Sequence, residues 1–388
     1  MPYQRILAAL VLTTLTDSFA EEFLQPLLVV LLEQRGVSAF LIGLTTSSGD
    51  LGVLVAAPFV PALVRAVSPV AYVRYSLLVL AGGVLLFPLF PHVYAWIALD
   101  FAFGVVTVGY FVLSDTLVNA AAEDSRRGRL LAAYMLAESL GAILGPLALS
   151  QVGVEGMRPF VIAASIMLLG IAPWFFLGDV HAPDLQGGER VPFLATLRGA
   201  PFLLGVAAAG AFFDDVPASL LPVFALDLGL SETLAIAMLS VLAAGTVVFQ
   251  LPAGWLADRM DRSTFLGLAS GSIAILALLL TPALGLPWLL WPLLLGLGGL
   301  FNGVELLGLA LLGERSSLGN LAAINAAATM VGGVSSFVAP PVTGLLMDRA
   351  GAIALPGVIA ATAVALLLAS VYDGSRRRRI SKASRGST

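Results

Sequence analysis

Residues 6–32 read ILAALVLTTLTDSFAEEFLQPLLVVLL. The run is long enough to cross a hydrocarbon core of ~30 Å as a single helix. Yet it carries Asp17, Glu21 and Glu22 in its middle. Asp50, Glu138, Asp214 and Asp215 sit inside other apolar stretches in the same way. One ionised carboxylate facing lipid near the bilayer centre costs roughly 2.5–3.5 kcal/mol. Seven such costs would sum to something on the order of 20 kcal/mol, so these groups must line a polar interior. A pathway through the membrane is therefore the leading expectation.

Composition agrees. The chain has 388 residues, 59% hydrophobic and 11% charged, with a net charge of −4 and a mean hydropathy of +0.98. A soluble domain is about 25% charged, so an integral membrane protein without a large soluble domain is expected. There is no cysteine, hence no disulfide framework, thiolate nucleophile or thiolate metal site. His92 and His181, the only histidines, both fall in breaks between apolar runs and exclude a His-rich metal site. No nucleophile–base constellation stands out, so an enzyme is not expected, nor is a cofactor or a nucleic-acid partner. The first apolar run is too long and too acidic for a cleavable signal peptide and reads as a retained span.

Cutting at charges and Gly/Pro breaks gives twelve spans: 6–32, 40–64, 71–90, 94–119, 129–151, 159–178, 201–226, 232–254, 264–285, 287–312, 319–346 and 353–372. Twelve spans put both termini on one side, and 17 of the 20 basic residues fall there, against Arg35, Arg158 and Arg349 opposite. By the positive-inside rule that side is the cytoplasm. The polar break Gly178–Arg198 divides two six-helix halves, 1–178 and 201–373, joined by a linker 179–200 and followed by a basic tail 374–388. Arg376–Arg379 in that tail reads as a topology anchor. The halves resemble each other: Gly36-Val37-Ser38 matches Gly229-Leu230-Ser231, Gly109–Asp115 runs in register with Gly299–Glu305, and Pro26 corresponds to Pro222. Proline-interrupted helices at equivalent places in two halves point to a transporter's binding region.

With these features the chain resembles the major facilitator superfamily over nearly its full length. The most specific match is Gly254-Trp-Leu-Ala-Asp258-Arg259-Met-Asp-Arg262, similar to the cytoplasmic loop signature G-x-L-A-D-R-x-G-R, with Asp261 where glycine is usual. Glycine permits close helix approach there, and an Asp–Arg pair makes charge-assisted bonds across a cytoplasmic gate. After the second span the equivalent loop is degenerate, with Pro61 for the glycine and Arg65 where the aspartate would be. Gly344–Gly351 is a looser version, equally readable as a helix end. Gly141-Ala-Ile-Leu-Gly145-Pro146 is similar to the core of the superfamily's antiporter motif, and generic helix packing explains the same spacing. Gly128–Leu136 resembles a YcaD-like bacterial branch.

The resemblance implies an all-α membrane protein in which helices 1, 4, 7 and 10 line a central cavity and 2, 5, 8 and 11 flank it. Every buried acid falls on those two sets. Asp17, Glu21 and Gln25 recur at i, i+4 and i+8 and form one stripe, continued by Thr13 and Thr14, while Glu22 points about 100° away. By helix rise Asp17 lies about 18 Å beyond Arg5 and Glu138 about 13 Å beyond Arg129, near the middle of the membrane. Asp115 and Glu305 lie nearer the cytoplasmic ends and suit gate salt bridges to Arg65, Arg126, Arg259 or Arg315. Asp100, in the outer part of helix four, reads as solvated in a vestibule.

Desolvated carboxyls with like charges nearby hold protons more readily, as proton coupling requires. A negative lining attracts cations and repels anions. The expectation is a monomeric transporter of the bacterial cytoplasmic (inner) membrane that exports a cationic or amphipathic small molecule against protons. Two alternatives stay open: a symporter or uniporter for a neutral solute, and a transport-inactive scaffold or receptor.

Overall fold

The computed structural model describes residues 2–60, 62, 68–121, 127–176, 200–315 and 321–385, of which 2–7, 69, 114–121, 127–130, 257–258, 315, 321–323 and 377–385 are described by backbone alone. Among the described residues there are twelve long helices and no β-strand. They are α1 Pro2–Gln34, α2 Ala39–Ala56, α3 Pro69–Val84, α4 Val93–Ala121, α5 Arg127–Val152 and α6 Arg158–Ile171. The second set is α7 Pro201–Asp227, α8 Glu232–Arg259, α9 Arg262–Ala283, α10 Pro287–Arg315, α11 Leu321–Ala350 and α12 Ala354–Arg385. Eleven are long and apolar enough to cross a membrane. The remaining one, α1, has the length, but its middle carries the three carboxyls of the opening stretch.

Local chemistry explains the ends. Gly36 and Gly229 take left-handed φ values of 69° and 86°. Each closes its helix by the same pair of bonds. Gly36 N–H donates to Glu33 O and Val37 N–H to Leu32 O; Gly229 N–H donates to Leu226 O and Leu230 N–H to Ala225 O. Only glycine adopts that backbone without cost. The hydroxyls of Ser38 and Ser231 then accept from Leu41 N–H and Leu234 N–H at the start of the following helix. The repeat legible in sequence is thus one turn, built twice. Asp261 has its own purpose: its Oδ2 accepts from Thr264 N–H at 2.9 Å and caps α9, which a glycine could do only weakly.

Pro26 and Pro146 lie inside unbroken helices α1 and α5. Other prolines do end helices. Single turns at Ala57–Phe59, Leu86–Leu89 and Ala172–Phe176, each containing a proline, finish α2, α3 and α6. Beyond the apolar part of α12 the helix runs on through the arginine cluster to Arg385.

The described residues fall into two compact units. One comprises the first six helices together with Ala218–Ser240; the other comprises the rest of α7 and the chain from Val241 onward. In the first unit α1 packs on α5 and α6, α2 on α4, and α3 on α6. Ala218–Ser240 joins it through Thr46 Oγ1, which donates to Ser219 Oγ at 2.9 Å, and through Gln34 Nε2, which donates to Glu232. In the second unit α9 packs on α12 and α10, and Ser335 Oγ donates to Ala208 O at 2.8 Å between α11 and α7.

In each unit a helix pair meets at van der Waals backbone distance. A Cβ on Gly104 would lie 1.8 Å from Gly49 O, and one on Gly52 would lie 2.2 Å from Phe101 O, so α2 and α4 touch backbone to backbone. In the second unit a Cβ on Gly245 would lie 2.1 Å from Leu295 O, and one on Gly298 would lie 1.9 Å from Leu242 O, between α8 and α10. Close packing through small residues is the main attraction between helices in lipid, where no hydrophobic drive exists.

Candidate functional site

The α2–α4 contact shapes an acidic cavity wholly inside the first unit. It has a volume of about 100 Å³, and its polar lining is Asp17, Glu21 and Gln25 from α1, Asp50 from α2, and Asp100 and Thr107 from α4. The i, i+4, i+8 stripe of α1 therefore faces one space, as its spacing requires. Glu21 is at the exposed side of this lining, Asp50 and Gln25 are half-buried, and Asp17 and Asp100 are each only 5% exposed.

These two buried carboxyls differ in their partners. Asp100 Oδ2 accepts from Gly49 N–H at 2.6 Å and from Ser48 Oγ at 3.0 Å, and its Oδ1 accepts from Gln25 Nε2 at 3.3 Å. Gly49 makes this possible, because a Cβ there would already stand 3.0 Å from Asp100 Oδ2. Asp17, by contrast, accepts no hydrogen bond from a described residue, and its closest electrostatic neighbour is Glu21. Gln25 Oε1 is also buried without a partner among the described residues.

The expectation that Asp100 is solvated in a vestibule is corrected. Position along α4 gives depth, but the close approach of α2 seals the carboxyl in. A signal was present: Gly104 lies one turn after Asp100 on the same face, marking where another backbone comes close. Replacing Asp100 by alanine is expected to lower stability by about 1–3 kcal/mol, chiefly through the Gln25 Nε2 donor that loses its acceptor and the α2–α4 bonds to Gly49 and Ser48 that are removed. Ser48 loses less, having Thr45 O and Ile97 O as other acceptors. Thermal unfolding in detergent checks this, and an unchanged midpoint would show that Asp100 holds nothing together.

Thr13 does not continue the acidic stripe. It is fully buried against α6, where its hydroxyl donates to Gly170 O at 2.9 Å and accepts from Trp174 Nε1 at 2.7 Å. Thr14 Oγ1 lies 3.5 Å from Tyr110 Oη. Among the other acids singled out, Glu22, Glu138, Asp214 and Asp215 do not line the cavity. Glu22 lies on the side of α1 that meets α5, since a Cβ on Gly145 would come within 2.9 Å of its backbone. Glu138 accepts from Ser18 Oγ through its backbone oxygen at 2.8 Å, and its side chain is exposed. Asp214 is exposed and Asp215 half-buried on α7.

Gly141 and Gly145 pack α5 onto α1. Cβ atoms there would fall 2.6 Å from Phe19 N and 2.7 Å from Phe19 O. Pro146 follows without breaking the helix. At the loop signature, Arg262 Nη1 donates to Ala310 O at 2.7 Å and to Glu314 Oε2 at 3.0 Å, tying α9 to α10. The Arg259 guanidinium lies over the Trp255 ring, 3.9 Å from its centroid. A Cβ on Gly254 would meet no described atom within 4 Å. Glu305 is exposed on α10, where its backbone flanks Gly210 of α7. Arg65 lies outside the described residues, as do the side chains of Asp115 and Asp258. A second cavity, of about 470 Å³ between α8, α9 and α10, has an apolar lining that includes Phe249, Leu256, Phe265 and Leu300 and no charged group.

A bundle of apolar helices enclosing a carboxyl-lined cavity defines a multi-pass membrane protein of transporter type. The family model described as Major Facilitator Superfamily matches residues 10–340 and again 203–387, and the chain belongs to that family. Among curated proteins it is 28% identical over 268 residues to the uncharacterized MFS-type transporter YfkF of Bacillus subtilis, covering 66% of this chain and 67% of that one. It is 26% identical over 358 residues to the uncharacterized MFS-type transporter YcaD of Escherichia fergusonii, covering 90% and 89%. Solved structures share the fold. The nucleoside transporter NupG superposes with a TM-score of 0.78 at 16% identity over 96% of this chain and 99% of that one. A D-xylose-proton symporter does so at 0.74 and 15% identity over 95% and 97%.

Proposed function

We propose that this transporter is a proton-coupled exporter of a cationic or amphipathic small molecule, working as a monomer by alternating access in a bacterial inner membrane with both termini cytoplasmic. The observation that carries the reading is the pair of buried carboxyls in one small cavity, one saturated with donors and one without. Asp100 serves as framework, and Asp17 is the group available to take and release a proton or meet a cation. Glu21 and Asp50 add negative potential at the same place, which favours cations and disfavours anions such as phosphorylated sugars or dicarboxylates. Arg262, with Arg259 and Asp258, would belong to the cytoplasmic gate, together with Arg65, Asp115, Glu305 and Gly254.

Proteoliposomes with an imposed pH gradient provide the test. Adding an organic-cation substrate is expected to dissipate the gradient. If neutral solutes move instead and no cation alters the gradient, uniport or symport of a neutral solute replaces this reading.

A further inference from the structure

The lining of the acidic cavity is unbalanced in hydrogen-bond terms. Asp17, 5% exposed, accepts nothing from a described residue. Gln25 Oε1 is buried without a partner among the described residues, while the amide nitrogen of the same side chain donates to Asp100. Asp100 already has three donors. What the cavity lacks, then, is N–H or O–H groups pointing at Asp17 and at Gln25 Oε1. A buried acceptor left without a donor costs about 1–3 kcal/mol, so a ligand that supplies a donor to Gln25 Oε1 while meeting the Asp17 carboxyl gains on both counts.

From this imbalance we infer that the cavity takes the N–H-bearing head group of a primary or secondary ammonium and discriminates against quaternary ammonium. The inference rests on the cationic-substrate reading above and narrows it to one chemical class. A primary ammonium has three donors and one positive charge, which answers both acceptors and the carboxylates together. A quaternary ammonium carries the same charge but no N–H, so binding it would seal Gln25 Oε1 against methyl groups. Size points the same way. A cavity of about 100 Å³ is small and suits a compact head group. Proteins that favour quaternary ammonium surround it with aromatic rings. Here Phe103 and Phe111 both come from α4, and the other helices contribute carboxyls, an amide and aliphatic side chains.

The test uses the purified full-length protein in detergent, with binding read as ligand-dependent thermal stabilisation at one pH. Three probes share a chain length: n-hexylammonium, N,N,N-trimethylhexylammonium and hexan-1-ol. The primary ammonium is expected to bind at least tenfold more tightly than the trimethyl compound. In a Gln25→Met variant, which removes the orphan acceptor, that preference shrinks; the comparison of probes on the unmodified protein stands even if the variant folds poorly. Equal affinity for the two cations overturns the N–H requirement while leaving a cationic substrate intact. If neither cation outdoes hexan-1-ol, the cationic reading itself fails.

Discussion

An Asp17→Asn variant is expected to lose most of its substrate-driven proton movement while keeping its fold. The substitution changes almost no volume, and it removes a proton site without taking an acceptor from any described donor. Stability should therefore stay within about 1 kcal/mol of the parent, as for substitutions that break no buried network. Gradient dissipation in proteoliposomes should fall at least about tenfold, whereas exchange of labelled for unlabelled substrate, which needs no net proton transfer, should fall less, because Glu21, Asp50 and Gln25 still line the cavity. The contrast with Asp100 sharpens the expectation: loss of Asp100 harms stability first, loss of Asp17 harms coupling first. Full gradient dissipation by the asparagine variant would remove Asp17 from the mechanism.

The second large effect concerns packing. Gly104→Ala would place a methyl group 1.8 Å from Gly49 O, an obstacle made of backbone on both sides that no side-chain rotation relieves. Overpacking usually costs about 1–3 kcal/mol and sometimes more; with α2 and α4 forced apart along their contact, the upper end or beyond is expected. Because Gly49 N–H also holds Asp100, the displacement would open the acidic cavity as well. Gly298→Ala, 1.9 Å from Leu242 O, should behave alike in the second unit. Gly82→Ala is the control, with nothing within 4 Å of the new methyl, and it should be neutral or slightly stabilising given alanine's helix preference. Thermal midpoints in detergent decide the matter: equal values for the Gly104 and Gly82 variants would mean that the α2–α4 approach is not a constraint.

Much of this protein is legible without a fold. Apolar runs of about 20 residues announce membrane helices, because a single continuous apolar segment satisfies its own backbone in lipid only as a helix. The two Gly-x-Ser turns could be read as equivalent because glycine alone takes the left-handed backbone cheaply, and the matching bonds at Gly36 and Gly229 carry that chemistry. Helical periodicity likewise put Asp17, Glu21 and Gln25 on one face, and they do share one cavity.

Partnership across helices was another matter. Nothing along α4 distinguishes a solvated Asp100 from one clasped by Ser48 and Gly49 of α2, and nothing along α1 shows that Thr13 turns to Trp174 while Asp17 is left without a donor. The register of one helix orients its own side chains, but the neighbour they meet depends on how two helices approach. That approach is set by contacts such as Gly49 against Gly104, which are separated by more than fifty residues of chain. Sequence by itself thus determined the membrane architecture and the acidic character of its interior. Only the tertiary structure decided which buried carboxyl is held by donors and which has none among the described residues, because hydrogen-bond satisfaction belongs to pairs of helices and not to either one alone.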